Sequence, residues 1–302
     1  MDVPEAGHEP VLLHEVLEWL DPQPGRIFVD CTLGRGGHAQ AIAERLGPAG
    51  TLIALDVDPK NLDFAQRRLA NAPCRIRIFH ANFAELTDVL AAAGVARVDG
   101  LLADLGLSTN QFLDPSYGIT FAQDGPLDMR IDPRLHQTAA DLVNQMREDD
   151  LADVLYELAQ ERYSRRIASK IVQARRVSPI TSTLRLAELV RQALPSRAYA
   201  HERIDPATRT FMALRIKVNR ELENLESLLK TIPTILNPGG RAGVISFHST
   251  EDRMVKQAFR SAEQTGQMQV LTRKPVSPTD EEASRNPRSR SAKLRVAAYN
   301  GR

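Results

Sequence analysis

The stretch Arg26 to His38, RIFVDCTLGRGGH, with the amphipathic run AQAIAERL behind it, constrains the fold more than any other part of the chain. A short apolar run rich in β-branched and aromatic residues ends in an acid, passes through a glycine-rich turn and gives way to helical periodicity. That order is the strand–loop–helix that opens a nucleotide-binding sheet. Gly34, Gly36 and Gly37 tolerate positive φ and let the backbone pass close to a bound cofactor.

The same residues admit more than one ligand. Gly34 to Ala39 fits G-x-G-x-x-[GA], and Asp56 closes the next apolar run about twenty residues on, as in a dinucleotide fingerprint. A phosphate-cradling loop is excluded, because His38 stands where the required lysine would be. An S-adenosylmethionine pocket is the third reading, with Asp30 near the amino-acid end of the cofactor. A tight turn with no ligand is the bland alternative. Three glycines in four residues, with an acid at the right spacing, speak against it.

Further along, apolar runs predict strands at Gly50–Asp58, Cys74–His80 and Val98–Ala103, with helices from Pro59 to about Leu69 and near 84–93. Asp56, Phe83 and Asp104 then fall with Asp30 at the carboxyl ends of successive strands, where open α/β sheets bind ligands. An acid at the second strand tip can accept ribose hydroxyls, and Phe83 can lie against an adenine or simply fill core. From about Asn110 to Asp205 only helix patterns appear, including Thr138 and Asp141 at capping spacing. Strands resume at Arg241–Phe247, after the turn Pro238-Gly239-Gly240, and twice more in QVLTRK and AKLRVAAY. The expected fold is a Rossmann-like, doubly wound α/β sheet made of 1–109 and 206–302, with an all-helical domain, 110–205, inserted over the crevice. The basic loop holding Asn286–Ser291 is expected to be mobile, and residues 8–20 are expected to form a helix packed on the sheet domain.

Composition excludes several classes. With 302 residues and 42% hydrophobic content the chain can bury a full core, and no apolar run approaches bilayer length, so no membrane partner and a cytoplasmic location are expected. Cys31 and Cys74 lack C-x-x-C spacing and are expected to be buried and free. The seven histidines show no ligand spacing, so no metal is expected. The net charge of +1 hides a run from Arg285 to Arg302 with no acid, and a basic stretch at Arg162–Arg176. Clustered cations suggest a polyanion, with Arg285, Arg288 and Arg290 as candidate RNA contacts; a solvated face is the alternative.

The acceptor chemistry is also constrained. Methylation at cytosine C5 needs a cysteine nucleophile, and neither cysteine lies at a strand tip. An exocyclic amine instead needs acceptors for its N–H groups, which Asp104 and the carbonyls of Leu105 and Gly106 can supply. The usual amino-methyltransferase tetrapeptide here is [DNS]-P-P-[YF], whereas this chain has Asp104-Leu105-Gly106-Leu107, without the proline pair or the stacking aromatic.

Six segments carry a family resemblance: H-E-P-V-L-L-H-E-V at 8–16, D-C-T-L-G-R-G-G-H at 30–38, D-G-P-L-D-M-R at 124–130, P-A-T-R-T-F at 206–211, V-I-S-F-H-S-x-E-D-R at 244–253 and N-P-R-S-R-S at 286–291. With these the chain, from about Glu9 to Arg295, closely resembles the MraW (RsmH) family of bacterial 16S ribosomal RNA methyltransferases. The resemblance implies a class I S-adenosylmethionine-dependent fold with a helical insert, and methylation of N4 of a cytidine in the decoding region. It implies cofactor contacts at Gly36, Gly37, His38, Asp56, Phe83, Asp104 and Gln111, with Asp104 also a catalytic candidate. It implies 16S rRNA or the small ribosomal subunit as partner and is compatible with a homodimer. Departures from the family pattern fall at Asp205, at Thr250 and across Tyr117–Phe121. Two rival classes share part of this signal. A nicotinamide dehydrogenase would be stabilised by NAD rather than S-adenosylmethionine. A noncatalytic RNA-binding module would bind RNA equally with or without a methyl donor.

Overall fold

The computed structural model describes residues 10–195 and 205–301. Sequence readings that fall on His8, Glu9, His201 and Arg302 lie outside them. The chain divides into two compact units, one comprising Leu107–Glu221 and the other the chain up to Gly106 and from Leu222 onward.

The second of these units begins with helix α1 (Leu13–Leu20), strand β1 (Ile27–Asp30) and helix α2 (Gly37–Leu46). It continues with β2 (Thr51–Asp56), α3 (Pro59–Arg68), β3 (Arg75–His80), α4 (Leu86–Ala92) and β4 (Val98–Asp104). β1 lies between β2 and β4, parallel to both, and β3 pairs in parallel with the far side of β2. Chain order therefore reverses at β1, which opens a crevice at the carboxyl ends of β1 and β4. β2, TLIALD, is buried along almost its whole length, which is why it reads as a continuous apolar run.

The helical unit contains α5 (Thr109–Leu113), α6 (Ala139–Gln145), α7 (Glu148–Ala159), α8 (Ser164–Arg175), α9 (Thr183–Ala193) and α10 (Ala207–Asn219). Leu155, Ile171, Val190 and Leu214 are among the residues that share its apolar core. The capping box expected from Thr138 and Asp141 forms at the start of α6, an arrangement that contributes about 0.5–2 kcal/mol. Gln160 turns into the left-handed region and splits into α7 and α8 what periodicity reads as one helix. The sequence boundary at 205 falls just before α10, and the contacts carry the unit on to Glu221, because Phe211 and Leu214 bury in the helical core. Asp205 accepts the Ala207 N–H and pairs with Arg191 at 2.8 Å, so this departure from the family pattern helps to start α10. The D-G-P-L-D-M-R segment is tied down in the same unit. Asp124 accepts the Leu184 N–H, Arg130 pairs with Asp128 at 2.7 Å, and Asn219 donates to the Met129 carbonyl.

After α10, Arg220 at φ 52 breaks the long helical pattern, and α11 (Glu221–Ile235) leads back to the sheet. There follow β5 (Leu236–Ser246), α12 (Ser249–Gln264), β6 (Met268–Val270), α13 (Asp280–Arg285) and β7 (Lys293–Tyr299). β5 starts five residues earlier than the sequence suggests. Pairing with β4 slips from Val98–Leu236 to Gly100–Arg241, so Pro238-Gly239-Gly240 forms an irregularity within the edge of the pairing instead of a turn before it. β7 inserts antiparallel between β5 and β6, completing the order β3-β2-β1-β4-β5-β7-β6. The stretch expected to be a mobile loop is anchored here: Glu282 on α13 accepts the Leu12 N–H at 2.8 Å, and Ser289 is fully buried. Cys31 and Cys74 are both buried and free. Among the described residues no helix is long and apolar enough to cross a membrane.

Candidate active site at the strand tips

Side chains two residues apart on a strand share a face. Phe28, Leu52, Ala54 and Leu102 pack with α1 and α2 in one apolar cluster, so Asp30, Asp56 and Asp104 emerge on that same face at the ends of β1, β2 and β4. Local alternation alone thus gathers three acids above one sheet surface.

Thr32 links two of them. Its N–H donates to Asp30 Oδ1 at 3.1 Å, and its Oγ1 accepts the Asp104 N–H at 2.6 Å. Asp30 is 1% exposed, and burial above all raises its pKa to about 7, with the Asp56 charge adding to the rise. Asp104 is raised to about 8, first by desolvation and then by the charges of Asp30 and Glu251. Asp30 Oδ2 and Asp104 Oδ1 are both shielded from solvent and meet no donor among the described residues. Orphaned carboxyl oxygens of this kind ask for a ligand that brings N–H groups or positive charge.

Asp56 is differently engaged. Its Oδ2 accepts the Gly34 N–H at 2.7 Å and the Asn61 side-chain amide at 3.3 Å, and its Oδ1 accepts the Asp58 N–H at 2.8 Å. Desolvation still raises its pKa to about 6 against these bonds. A carboxylate offers about four lone-pair positions, so one remains on Oδ1 for an outside hydroxyl. The acid therefore braces the glycine turn as well as facing the crevice. Arg35 secures that turn from the other side, its guanidinium 3.7 Å from the Phe64 ring centre.

Gly36 caps α2 in the left-handed conformation, and the first-turn N–H groups of Gly37 and His38 are among those a helix leaves without intrahelical partners. At Gly37 a Cβ would stand 2.5 Å from Pro10 Cγ, so the closeness read as cofactor approach comes there from the protein's own chain. The His38 Nε2–H donates to the Val11 carbonyl at 2.9 Å, and Nδ1 faces Asp104 Oδ2 at 3.7 Å. Phe83 begins a 3₁₀ turn just past β3, half-buried and packed on the core cluster of the opposite sheet face. Gln111 belongs to the helical unit, where it is buried and its Oε1 accepts the Ser108 N–H.

The basic segment is less uniform than its sequence. Arg285 and Arg290 are exposed, the former 3.7 Å from Glu281. Arg288 is half-buried, and burial lowers its pKa. Arg295 faces inward to Asp252 at 2.6 Å and so leaves the candidate polyanion surface, while Lys293, more than a third exposed, reaches the same carboxyl group at 3.5 Å. Cys31 falls one residue past the tip of β1 and not within the strand as the sequence suggests, but its side chain is buried in the core cluster of the opposite sheet face, away from the three acids, and burial pushes both thiols up.

Three contributors were not found by spacing. Thr32 bridges two acids; Glu251 caps α12 by accepting the Phe247 N–H at 2.9 Å and adds charge near Asp104; Phe247 itself lies against Gly106. The signal that could have found Glu251 is the H-x-x-E capping spacing within F-H-S-x-E.

A model of the MraW methylase family matches residues 5–300. The ribosomal RNA small subunit methyltransferase H of Acidobacterium capsulatum is 48% identical over 297 residues, covering 96% of this chain and 97% of its own length. That of Koribacter versatilis is 47% identical over 303 residues, covering 98% and 95%. Among solved structures, a SAM-dependent O-methyltransferase from Thermotoga maritima aligns with a TM-score of 0.46 at 11% identity, covering 99% of this chain and 69% of its own.

Proposed function

This chain belongs to the MraW methylase family, and on that premise we propose that it methylates small-subunit ribosomal RNA with S-adenosylmethionine, at N4 of a cytidine in the decoding region of 16S rRNA. The observation that carries the reading is the pair of donor-less carboxyl oxygens, Asp30 Oδ2 and Asp104 Oδ1, within a group of three acids on one sheet face, two of them buried and Asp104 partly exposed. S-adenosylmethionine carries a sulfonium and an ammonium group against one carboxylate. Its net positive charge is what such acids favour, whereas a nicotinamide dinucleotide would bring phosphates to them.

Each residue then has a role. Asp30 and Asp104 would meet the cationic groups, the first-turn N–H groups of Gly37 and His38 would face the carboxylate, the remaining Oδ1 position of Asp56 would take a ribose hydroxyl, and Phe83 would lie against the adenine. The Gly36 N–H is held by the Leu33 carbonyl at 2.8 Å, so Gly36 is assigned as a backbone contact on the family resemblance. Gln111 is assigned as a further cofactor contact on the family resemblance. When bound, the cofactor supplies a methyl group on positively charged sulfur, so the protein has chiefly to align the acceptor and keep water out. The cytosine amine is a poor nucleophile because its lone pair is delocalised into the ring. An Asp104 carboxyl oxygen that accepts one of its N–H bonds favours the reactive form. The helical unit is the part we assign to recognition of the substrate, 16S rRNA or the assembled small subunit, and Arg285 and Arg290 to its phosphates.

The test is methyl transfer from labelled S-adenosylmethionine to small subunits and to free 16S rRNA, followed by nucleoside analysis. The expected product is N4-methylcytidine. Label in 5-methylcytidine would overturn the site assignment, and no label in RNA would overturn the function.

A further inference from the structure

The tetrapeptide at the tip of β4 lacks the aromatic residue that amino-methyltransferases use to stack the target base, yet an aromatic stands beside it. Asp104 pairs in register with Ile245, and the Leu105 N–H donates to the Ile245 carbonyl at 2.9 Å. Two residues further along the chain in each case, just past the ends of β4 and β5, come Gly106 and Phe247. Phe247 packs against the apolar cluster that holds Ile245, on the sheet face where Asp104 also emerges.

The contact between them is built. Gly106 has φ +144, a conformation that side chains rarely adopt, and a Cβ there would lie 3.0 Å from Phe247 Cδ2 and 3.1 Å from Cε2. Only glycine therefore lets the ring rest on the backbone of the tetrapeptide. From behind, the Phe247 N–H is held by Glu251 Oε2 at 2.9 Å. The ring is half-buried, so part of its apolar surface stays open.

From this arrangement we infer that Phe247 is the stacking platform for the target cytosine, supplied by β5 in place of the aromatic missing from Asp104-Leu105-Gly106-Leu107. The inference rests on the methyltransferase reading above and adds the residue that positions the base. A base on the ring has its exocyclic amine toward Asp104, and Glu251 acts through Phe247 by fixing its backbone.

Phe247→Leu removes the ring and keeps an apolar side chain, whereas Phe247→Tyr keeps the ring. The Leu variant is expected to lose about tenfold or more in kcat/KM for the RNA, the scale of one lost base–aromatic stack, while the Tyr variant keeps most of the rate. S-adenosylmethionine affinity by calorimetry should be the same in all three proteins. A second measurement does not depend on turnover. An RNA fragment with an abasic site at the target position should bind wild type more weakly than the intact fragment, and the Leu variant should not distinguish the two. Equal turnover by Leu and wild type overturns the inference, as does an equal loss in Leu and Tyr, or discrimination by the Leu variant against the abasic fragment. If wild type itself transfers no methyl group to RNA, the failure lies in the proposed function and shows before any variant is made.

Discussion

His38 Nδ1 lies 3.7 Å from Asp104 Oδ2, while the Nε2 of the same ring lies 2.9 Å from the Val11 carbonyl oxygen. A carbonyl can only accept, so Nε2 carries a proton, and Nδ1 is the ring atom turned toward Asp104. Desolvation, with the charges of Asp30 and Glu251, raises the Asp104 pKa to about 8.

Asp104→Asn keeps the shape of the neutral carboxyl group, and its amide can face His38, so the free protein should stay folded with little change in Tm. It cannot become an anion when a cationic cofactor arrives. Cofactor affinity should fall by about 1–3 kcal/mol, the scale of a charged hydrogen bond, and single-turnover methyl transfer at saturating cofactor should fall as well. Normal affinity together with a normal rate would remove Asp104 from the site.

Cofactor binding should be linked to protons. Asp30 and Asp104 hold protons at about 7 and about 8, and a bound cation favours their ionised forms, so binding should release protons and tighten as pH rises from 6 to 8. Calorimetry at pH 7 in buffers of different ionisation enthalpy reads the release directly. Proton uptake, or no linkage, would contradict the assignment.

Without ligand the sign is opposite. Carboxyl groups whose folded pKa lies above the unfolded value near 4 bind more protons in the native state, so their contribution to stability is full below pH 4 and is lost as pH rises toward 8. The Tm increment from S-adenosylmethionine should accordingly grow between pH 6 and pH 8. A constant increment over that range would mean that the cofactor leaves these acids untouched.

Asp56→Ala should cost both binding and folding. Besides its free lone pair, the carboxylate holds the Gly34 and Asp58 N–H groups and the Asn61 amide. Leaving these donors unpaired costs about 1–3 kcal/mol, so Tm should drop by several degrees as the cofactor weakens. Asp56→Asn, which keeps an acceptor, should recover part of the Tm. A variant with weakened binding and unchanged Tm would show that the glycine turn does not need this brace.

For the basic segment, Arg285→Ala with Arg290→Ala should weaken RNA binding and flatten its dependence on salt, each phosphate contact contributing about 0.7–0.9 to the log–log slope. The exposed Arg285–Glu281 pair is too weak to prevent this. Arg288→Ala should also lower Tm, because its stem is half-buried. An unchanged slope in the double variant would leave these arginines on a solvated face.

Much of the sheet was legible because its signals are local. Asp30, Asp56 and Asp104 each close an apolar run, and the step from period two to helical spacing marks where β1 ends and α2 begins. The breaks at Gln160 and Arg220 were not legible, since single left-handed residues interrupt helical periodicity without altering its apolar spacing. The boundary at 205 came from reading the helical pattern that follows it as part of the sheet domain, and nothing local tells that Phe211 buries its ring against Phe121, 4.7 Å away, in the helical core.

What the sequence determined by itself was the kind of sheet, the glycine turn and the acids at the strand tips, all consequences of nearest-neighbour periodicity. Tertiary structure alone decided how those groups are spent. Asp252 withdraws Arg295 from a basic run 43 positions away, Asp56 turns most of its acceptors to the backbone, and Phe247 comes to rest on Gly106. Burial also turned ordinary carboxyl groups into ones that titrate near neutrality. The reason is physical: hydrogen bonding between distant segments and the cost of taking charge out of water depend on what surrounds a group in space, and chain neighbours are only a small part of that surrounding.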